Sequence, residues 1–468
     1  LSDNGVDIRG PWDLIVVGHG FAGLSAAVAF LESWSGTAPR VAVVDRASVD
    51  ERGGSTRSTT ATFRLTDAGG LPDDVAQLIR ASAGAATDGY LRSFAAHVPA
   101  TLAWLAANGV GLLRRDAAVA LEAPGNWNSL AGGGAGFIDT YAERATGLGA
   151  RFFYQVELLG LEREPGGRVT GVRVRGGEFE AVMETSAVVL ASGGFEGDLE
   201  ELARRIPGGE LLEPAFVGAR VNTGAGIAAA TAVGAARSGQ PDGACLLPVD
   251  PRSDLVAPVV GNWQWGILVD LDGRRFVDEA EHGFELHAGS VAKAILARGG
   301  LAFAVTDATV RAATPMLERL QRTDQPVIIA DSIRELADRL GMKGAVLERT
   351  VADYNAAAVD VPYDGDRLDG KRTVGISPAK SNWAHPLTEP PFEALPVAAQ
   401  IAFTFEGLRV DDTTHVVDES GQTIPGLYAA GEIVGLYDGD TYPAGTSVLR
   451  ALVFGRLAGR EASVETRP

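Results

Sequence analysis

Four residues near the start of the sequence have the types and spacing for phosphate and ribose chemistry. Gly18, Gly20 and Gly23 stand at GxGxxG spacing, and Asp45 follows where an acid is expected, about 20 residues further on. Gly18 lets the chain turn sharply off a strand, and Gly20 has no Cβ to hold the backbone away from a pyrophosphate. Gly23 lets a helix sit close against a sheet. Phe21 and Ala22 begin that helix, whose unpaired N–H groups and positive dipole end suit phosphate oxygens. Asp45, with Arg46 beside it, can accept hydrogen bonds from an adenosine ribose. An acid there repels a 2′-phosphate, so the ligand is FAD or NAD rather than NADP.

Glycine-rich turns are common in a chain with 59 glycines, so the surrounding elements must decide. Residues 14–17 are an apolar run of strand type, residues 21–34 an Ala-rich apolar helix, and residues 41–44 a second strand ending on Asp45. All fall in register. A second feature sits near the other end of the chain. GLYAAGE (426–432) reads as strand then turn ending at Glu432, and 448–457 has helical periodicity. A helix N-terminus near 445–447 offers a positive dipole end to the electron-rich pyrimidine side of a reduced flavin. NAD has no need of such a contact, which favours FAD.

The 468 residues carry 41 basic and 60 acidic groups, a formal charge of −19. That excess of acid argues against nucleic acid or an anionic membrane surface as partner. A local arginine cluster can still bind an anionic substrate. Cys245 is the one cysteine, so no internal disulfide forms, and it reads as a small buried hydrophobe. LSDNGVDIRGPW has no apolar signal core, and no run approaches the ~18 apolar residues of a membrane helix. A cytoplasmic protein is expected. Its six dispersed histidines and one cysteine offer no metal constellation.

Along the chain, 73–108 reads as helices ending at Gly109. AGGGAG (131–136) either lets two backbones approach or opens a helix over 137–148. Strands are expected at 151–162, 168–175 and in VVLASGGF (188–195), and a strand pair with a DG turn over 267–279. Helical pattern follows at 288–298 and 332–358, and Pro-rich spacing at 386–396. The fold class is α/β: a Rossmann-like FAD-binding domain with an inserted α+β capping (substrate) domain. Its segments are 1–240, 241–390 (the cap) and 391–468.

DLIVVGHGFAGLSAA, VVLASGGF, NTGAGI (222–227), GILVDLDGRRFVDE, IPGLYAAGE and VFGRLAG occur in this order. Together they resemble the fumarate reductase/succinate dehydrogenase flavoprotein superfamily across nearly the whole chain. The resemblance implies an extended FAD in the binding domain, with substrate between flavin and cap. It places Gly18, Gly20, Gly23 and Asp45 at the adenosine and pyrophosphate. Gly54, Ser55, Thr56, Ala191 and Gly193 fall beside the flavin, Gly431 and Glu432 at the ribityl chain, and Thr446, Ser447 and Val448 at the pyrimidine edge. The histidine motif of covalently flavinylated members is absent from 51–60, so noncovalent FAD is expected.

The branch is set by departures. Fumarate reductases carry HGANRLGGN, whose arginine grips a carboxylate; here DGDTYPAGT (438–446) places Tyr442 at that position. A Tyr-Pro-Gly segment is similar to the 3-ketosteroid dehydrogenases, in which a tyrosine hydroxyl and a glycine N–H polarise a ring ketone. KSNWAHPLTEPPFEALPV (380–397) and TFEGLRVD (404–411) resemble the tricarballylate dehydrogenase-like proteins instead. The residue after RFxxE that moves a proton in these families is neither arginine nor tyrosine here. RRFVDEAEHGFELH (274–287) offers His282, Glu285 and His287.

Flavin chemistry on a C–C bond needs hydride transfer, proton transfer at the neighbouring carbon and polarisation of an activating group. Tyr442 with the Gly445 N–H is expected to polarise a carbonyl, and His282 to move the proton. Arg450 leads the carboxylate-binding candidates, ahead of Arg220, Arg409, Arg57 and Arg64. Trp127 and Trp265, with Trp263, fall where the family places the substrate cleft, and suggest a ring-bearing or apolar substrate. Asp438 is a turn acid, and His19 a tolerated turn residue. The expected activity is FAD-dependent dehydrogenation or reduction of a C–C bond beside a carbonyl or carboxyl, on a ketosteroid-like or other cyclic enone. Oxidation of a polycarboxylate is the alternative, and a flavin-bound subunit without catalysis a third. With one dinucleotide fingerprint, the electron partner is expected to be a quinone, a carrier protein or oxygen.

Overall fold

The strand Leu14–Val17, buried at every residue, lies inside the molecule's largest sheet. A continuous apolar run is what a parallel strand covered on both faces requires. The computed structural model describes residues 8–82, 88–115, 126–165, 167–437 and 442–466. The sheet has six strands in the order His415–Val417, Thr423–Ala429, Val188–Leu190, Leu14–Val17, Val41–Asp45, Arg151–Tyr154. Neighbours are parallel except at the edge pair His415–Val417 and Thr423–Ala429. Strands from opposite ends of the chain therefore share one sheet, and the loops after them open together.

The helix Phe21–Ser33 lies against the closing helix Thr446–Glu465, and glycines set how close. A Cβ on Gly455 would stand 2.4 Å from the carbonyl oxygen of Ala22, and one on Gly459 2.1 Å from that of Ala26. The VFGRLAG motif is thus a packing device.

A second, antiparallel sheet runs Ala244–Val249, Phe392–Thr404, Leu301–Asp307 and Ile267–Val269 in that order, with Ile328–Ala330 also on Phe392–Thr404. The proline spacing that suggested an end near 390 is absorbed into a strand, since Pro396 pairs with Phe303. The strand pair expected over 267–279 forms only in its first part. Arg275 folds back onto Glu279 at 2.6 Å, both side chains almost fully buried, and Glu279 also accepts the Leu268 N–H at 2.9 Å. A buried charge clamp replaces the second strand, leaving one bridge between Val269 and Arg275.

Other expectations are adjusted or divided, and 151–162 gives Arg151–Tyr154 and Glu157–Arg163 in different sheets. The 73–108 region gives Asp73–Ser82 and Asp88–Ala107. AGGGAG serves both uses, because it opens the helix Gly133–Gly147 and a Cβ on Gly134 would lie 1.7 Å from Thr56 O. The helical stretch 332–358 splits into Ile333–Arg339 and Gly344–Ala357 around Gly341, whose φ is +72°. Among the described residues, no helix is long and apolar enough to cross a membrane.

Candidate active site

A cavity of about 490 Å³ has both Asp45 and Tyr442 in its wall. That volume is typical of cofactor and small-molecule sites. Gly18 has φ +110°, and a Cβ there would press to 2.3 Å from Ala191 O. Gly23 does not line the cavity; its Cβ would lie 2.0 Å from Gly18 O, so it holds helix to strand. Gly20 has an ordinary φ of −86°, and its missing Cβ leaves room beside Thr56 Oγ1. No side chain caps the helix at Gly20, and the Phe21 N–H donates to Thr56 Oγ1 at 3.1 Å. Phe21, Ala22, Gly54, Ser55, Thr56, Ala191, Gly193 and Gly431 all line the same wall.

Asp45 accepts N–H groups from His19 at 3.0 Å and Ala47 at 2.8 Å. Burial raises its pKa against those two bonds and the charge of Arg46. Arg46 lines the cavity while donating to Thr223 Oγ1 at 2.6 Å. His19 is buried against Phe152 and Tyr154 at 4.9 and 5.5 Å, with neither ring nitrogen hydrogen-bonded. Burial, then the charges of Arg52 and Arg57, lowers its pKa to about 3. Neutral at physiological pH, it offers no proton to a reaction.

Glu432 lines the cavity and accepts the Thr404 N–H at 3.1 Å. Glu196, which sequence reasoning missed, lies behind it and accepts Asn222 Nδ2 at 2.7 Å and Ser55 Oγ at 3.2 Å. A Cβ on Gly194 would meet Glu432 Oε1 at 2.4 Å and Glu196 Oε2 at 2.9 Å, so the two carboxyls flank one glycine. Two buried carboxyls this close cannot both ionise. Burial first, then the charge of Glu432, pushes the Glu196 pKa well up. Glu432 is raised by burial too, against a hydrogen bond from Glu196. Glu196 therefore carries the proton.

A group raised in this way stabilises the fold below its unfolded pKa, and that stability is lost as pH rises through the folded value. Glu196→Gln, which keeps a neutral side chain, is expected to flatten the fall in Tm of cofactor-free protein between pH 5 and 8. An unchanged slope would show that Glu196 is ionised.

Tyr442 lies in the wall with its ring edge-on to Phe403 at 4.8 Å and to Tyr437 at 5.3 Å. Its hydroxyl accepts the Ser447 N–H at 2.9 Å and donates to Ser447 Oγ at 2.8 Å. Burial, then Tyr437, pushes its pKa above the ordinary tyrosine value, so it remains a donor and not a base. Gly445, φ +79°, precedes the closing helix with no side-chain cap, and Gly445, Ser447 and Val448 line the cavity. Thr446 does not; its Oγ1 lies 2.6 Å from Tyr437 Oη and donates to Pro443 O at 2.7 Å. Asp438 falls outside the described residues.

Trp127 lines the cavity beside Gly445, its ring 3.4 Å from where a Cβ on that glycine would stand. Trp265, expected at the cleft, is instead core: it is fully buried, donates to Gly365 O at 3.1 Å and packs on Trp383. Trp263 is likewise fully buried, donating to Val260 O at 2.8 Å. Arg450 reaches the wall, but its guanidinium donates to Val434 O at 3.2 Å and covers the Tyr437 ring at 5.2 Å. Arg64 pairs with Asp74 at 2.6 Å, Arg57 lies 4.0 Å from Asp139, and Arg409 donates to Asp418 O. Arg220 is exposed and off the cavity.

His282 also fails to reach the cavity, because it is exposed in the turn before the helix Phe284–Leu296. His287 faces the Asp278 carbonyl at 2.6 Å, which fixes Nε2 as a donor to backbone. Glu285 does line the cavity. Three further arginines, Arg115, Arg319 and Arg322, are exposed on its rim. His282→Ala is accordingly expected to leave the pH–rate profile unchanged; loss of a limb near neutrality would restore the histidine to the mechanism.

Two helix N-termini that open on glycines, Gly20 and Gly445, thus share a cavity with Asp45 and Glu432. This donor set fits a dinucleotide with one negative pole at its pyrophosphate and another at its ring system. Comparison with known proteins agrees. The FAD binding domain family model matches residues 13–448. NADH:acrylate oxidoreductase of Vibrio harveyi is 30% identical over 348 residues, 70% of this chain and 32% of its own length. A 3-oxosteroid 1-dehydrogenase of Mycobacterium tuberculosis (strain ATCC 25618 / H37Rv) is 30% identical over 335 residues, 62% of this chain and 56% of its own. The chain therefore spans about a third to a half of the length of these curated relatives. The open conformation of a flavocytochrome c3 fumarate reductase superposes with a TM-score of 0.78 at 24% identity, covering 98% of this chain and 80% of that one.

Proposed function

The chain belongs to the FAD binding domain family, and on that premise we propose that it oxidises or reduces a C–C bond beside a carbonyl, with a cyclic ketone or enone as substrate. The single observation that carries this reading is Tyr442: a protonated phenol in the cavity wall whose oxygen is held by the Ser447 N–H, with Gly445 in the same wall. FAD, when bound, supplies a two-electron hydride acceptor or donor. Gly18, Gly20, Asp45 and the Phe21 helix end would hold its adenosine and pyrophosphate. Ser55, Thr56, Glu432 and the Gly445 helix end would hold the rest. Tyr442 turns its proton from Ser447 Oγ toward the substrate oxygen, while the Ser447 N–H polarises the phenol and strengthens it as a donor. Phe403, Trp127, Leu246 and Leu247 supply an apolar wall that keeps water from the reacting carbons.

Turnover with an artificial electron acceptor, followed by mass spectrometry of the product, tests the reading. Loss of two hydrogens beside the carbonyl of a cyclic ketone supports it. Turnover confined to substrates with no carbonyl would remove it.

A second reading, an anionic substrate, draws on the rim arginines and not on Arg450 or Arg220. Among the described residues, no carboxylate pairs with Arg319 or Arg322, and burial followed by the charge of Arg115 lowers the pKa of Arg322. On a chain of net charge −19, such a local cluster reverses the field an approaching carboxylate meets. Steering of this kind weakens with salt. A kcat/KM that falls with ionic strength for a keto acid, and not for its neutral ester, is the mark of this reading.

A further inference from the structure

Tyr442 cannot serve as a base, and neither histidine of the cap motif is placed to do so, yet the chemistry proposed above needs a proton-transfer group. We infer that Glu285 is the catalytic acid–base of this site, accepting a proton from the substrate carbon next to the carbonyl in dehydrogenation and returning it in reduction. The inference rests on the carbonyl reading of the site and deepens it.

The helix Phe284–Leu296 turns its N-terminal end to the cavity, where Phe284, Glu285, Leu286, Ala288 and Gly289 form part of the wall. Its later turns carry Val291, Ala292 and Ile295 into the core. The Glu285 carboxyl is half-buried and has no hydrogen-bond or ion-pair partner among the described residues. A carboxyl on a cavity wall with no protein partner is open to a ligand. Burial pushes its pKa up to about 7, against the charge of Arg64. Helix N-termini favour the ionised form, so burial outweighs the helix here.

The groups facing it are few. Arg64 approaches from the strand Thr62–Leu65, and Cys245, whose own pKa burial pushes up to about 12, from the strand Ala244–Val249. Tyr442, Arg319 and Arg322 share the cavity, and His287 and Lys293 follow on its own helix. In dehydrogenation the C–H bond beside the carbonyl breaks, its electron pair becomes the new C=C bond, and the proton goes to a Glu285 oxygen. The neighbouring carbon gives up hydrogen with both electrons to the FAD named above. The substrate loses two electrons and two hydrogens, the cofactor is reduced by two electrons, and Glu285 passes its proton to solvent.

As a base Glu285 must be ionised, so kcat/KM for dehydrogenation should rise with pH through about 7. Glu285→Gln should cut it by about 10²–10⁴-fold and abolish that limb, with FAD content unchanged, while Glu285→Asp recovers part of the rate and the limb. A second readout does not depend on turnover. Infrared difference spectra of FAD-loaded wild type against Glu285→Gln should show a carboxyl band titrating near neutral pH. A carboxyl already fully ionised at pH 5, or Glu285→Gln turning over at the wild-type rate with the limb intact, overturns the assignment. Should no carbonyl compound be turned over while the band titrates as described, the carbonyl reading falls and the ionisation of Glu285 stands.

Discussion

Tyr442→Phe is expected to lower kcat/KM for a carbonyl substrate by about 10²–10³-fold, the usual cost of removing one donor from an oxyanion-stabilising pair. The expected change is specific because phenylalanine keeps the ring contacts with Phe403 and Tyr437 and loses only the hydroxyl. The Ser447 N–H loses its acceptor at 2.9 Å, but it lies at a helix N-terminus where the substrate oxygen or water can replace it. FAD content and Tm should therefore stay near wild type. The raised phenol pKa favours Tyr442 as a hydrogen-bond donor over a base. A variant with full activity would mean that the hydroxyl merely anchors its loop to Ser447.

A larger effect on the cofactor itself is expected from Gly23→Val, which should leave the protein colourless after gel filtration. The first atom of any side chain at 23 would stand 2.0 Å from Gly18 O and 3.2 Å from Val16 Cγ1. Both partners are fixed: one is backbone of the phosphate turn and the other core of the central strand. Relief requires the helix Phe21–Ser33 to move off the sheet, at a cost of at least the ~1–3 kcal/mol of an overpacked core. It also swings the helix N–H groups away from their target. Gly20→Ala is the matched control, because φ there is ordinary and the nearest atom is the hydroxyl of Thr56 at 2.9 Å. It should weaken FAD without expelling it. Circular dichroism separates loss of cofactor from loss of fold, and equal FAD content in both variants would contradict the packing argument.

These two positions show what could be read from the chain alone. Gly23 was legible because its constraint is local: strand, turn and helix lie within one short stretch, and apolar periodicity reports them. The parallel sheet followed, and so did the closing helix at Gly445. The catalytic half was harder. Tyr442 was found by its place in a segment, but its hydrogen bond to Ser447 depends on how the loop folds back. His282 and Glu285 stand three residues apart, and only the start of the helix Phe284–Leu296 decides which of them faces the cavity. Trp265 looked like a cleft aromatic, yet bulky aromatics fill cores as readily, and its indole N–H found Gly365 O a hundred residues away. Glu196 gave no signal, because its neighbour Glu432 sits in a turn far away in sequence. Arg115 lies far in sequence from Arg319 and Arg322, and the three share no motif.

The most direct measurement is anaerobic mixing of the FAD-loaded protein with a saturated cyclic ketone and, separately, with the same ring lacking its carbonyl oxygen, while flavin absorbance is followed. Bleaching by the ketone alone, reversed on adding the matching enone, is the predicted result. Equal bleaching by the ring without a carbonyl, or colour untouched by either compound, would contradict the account.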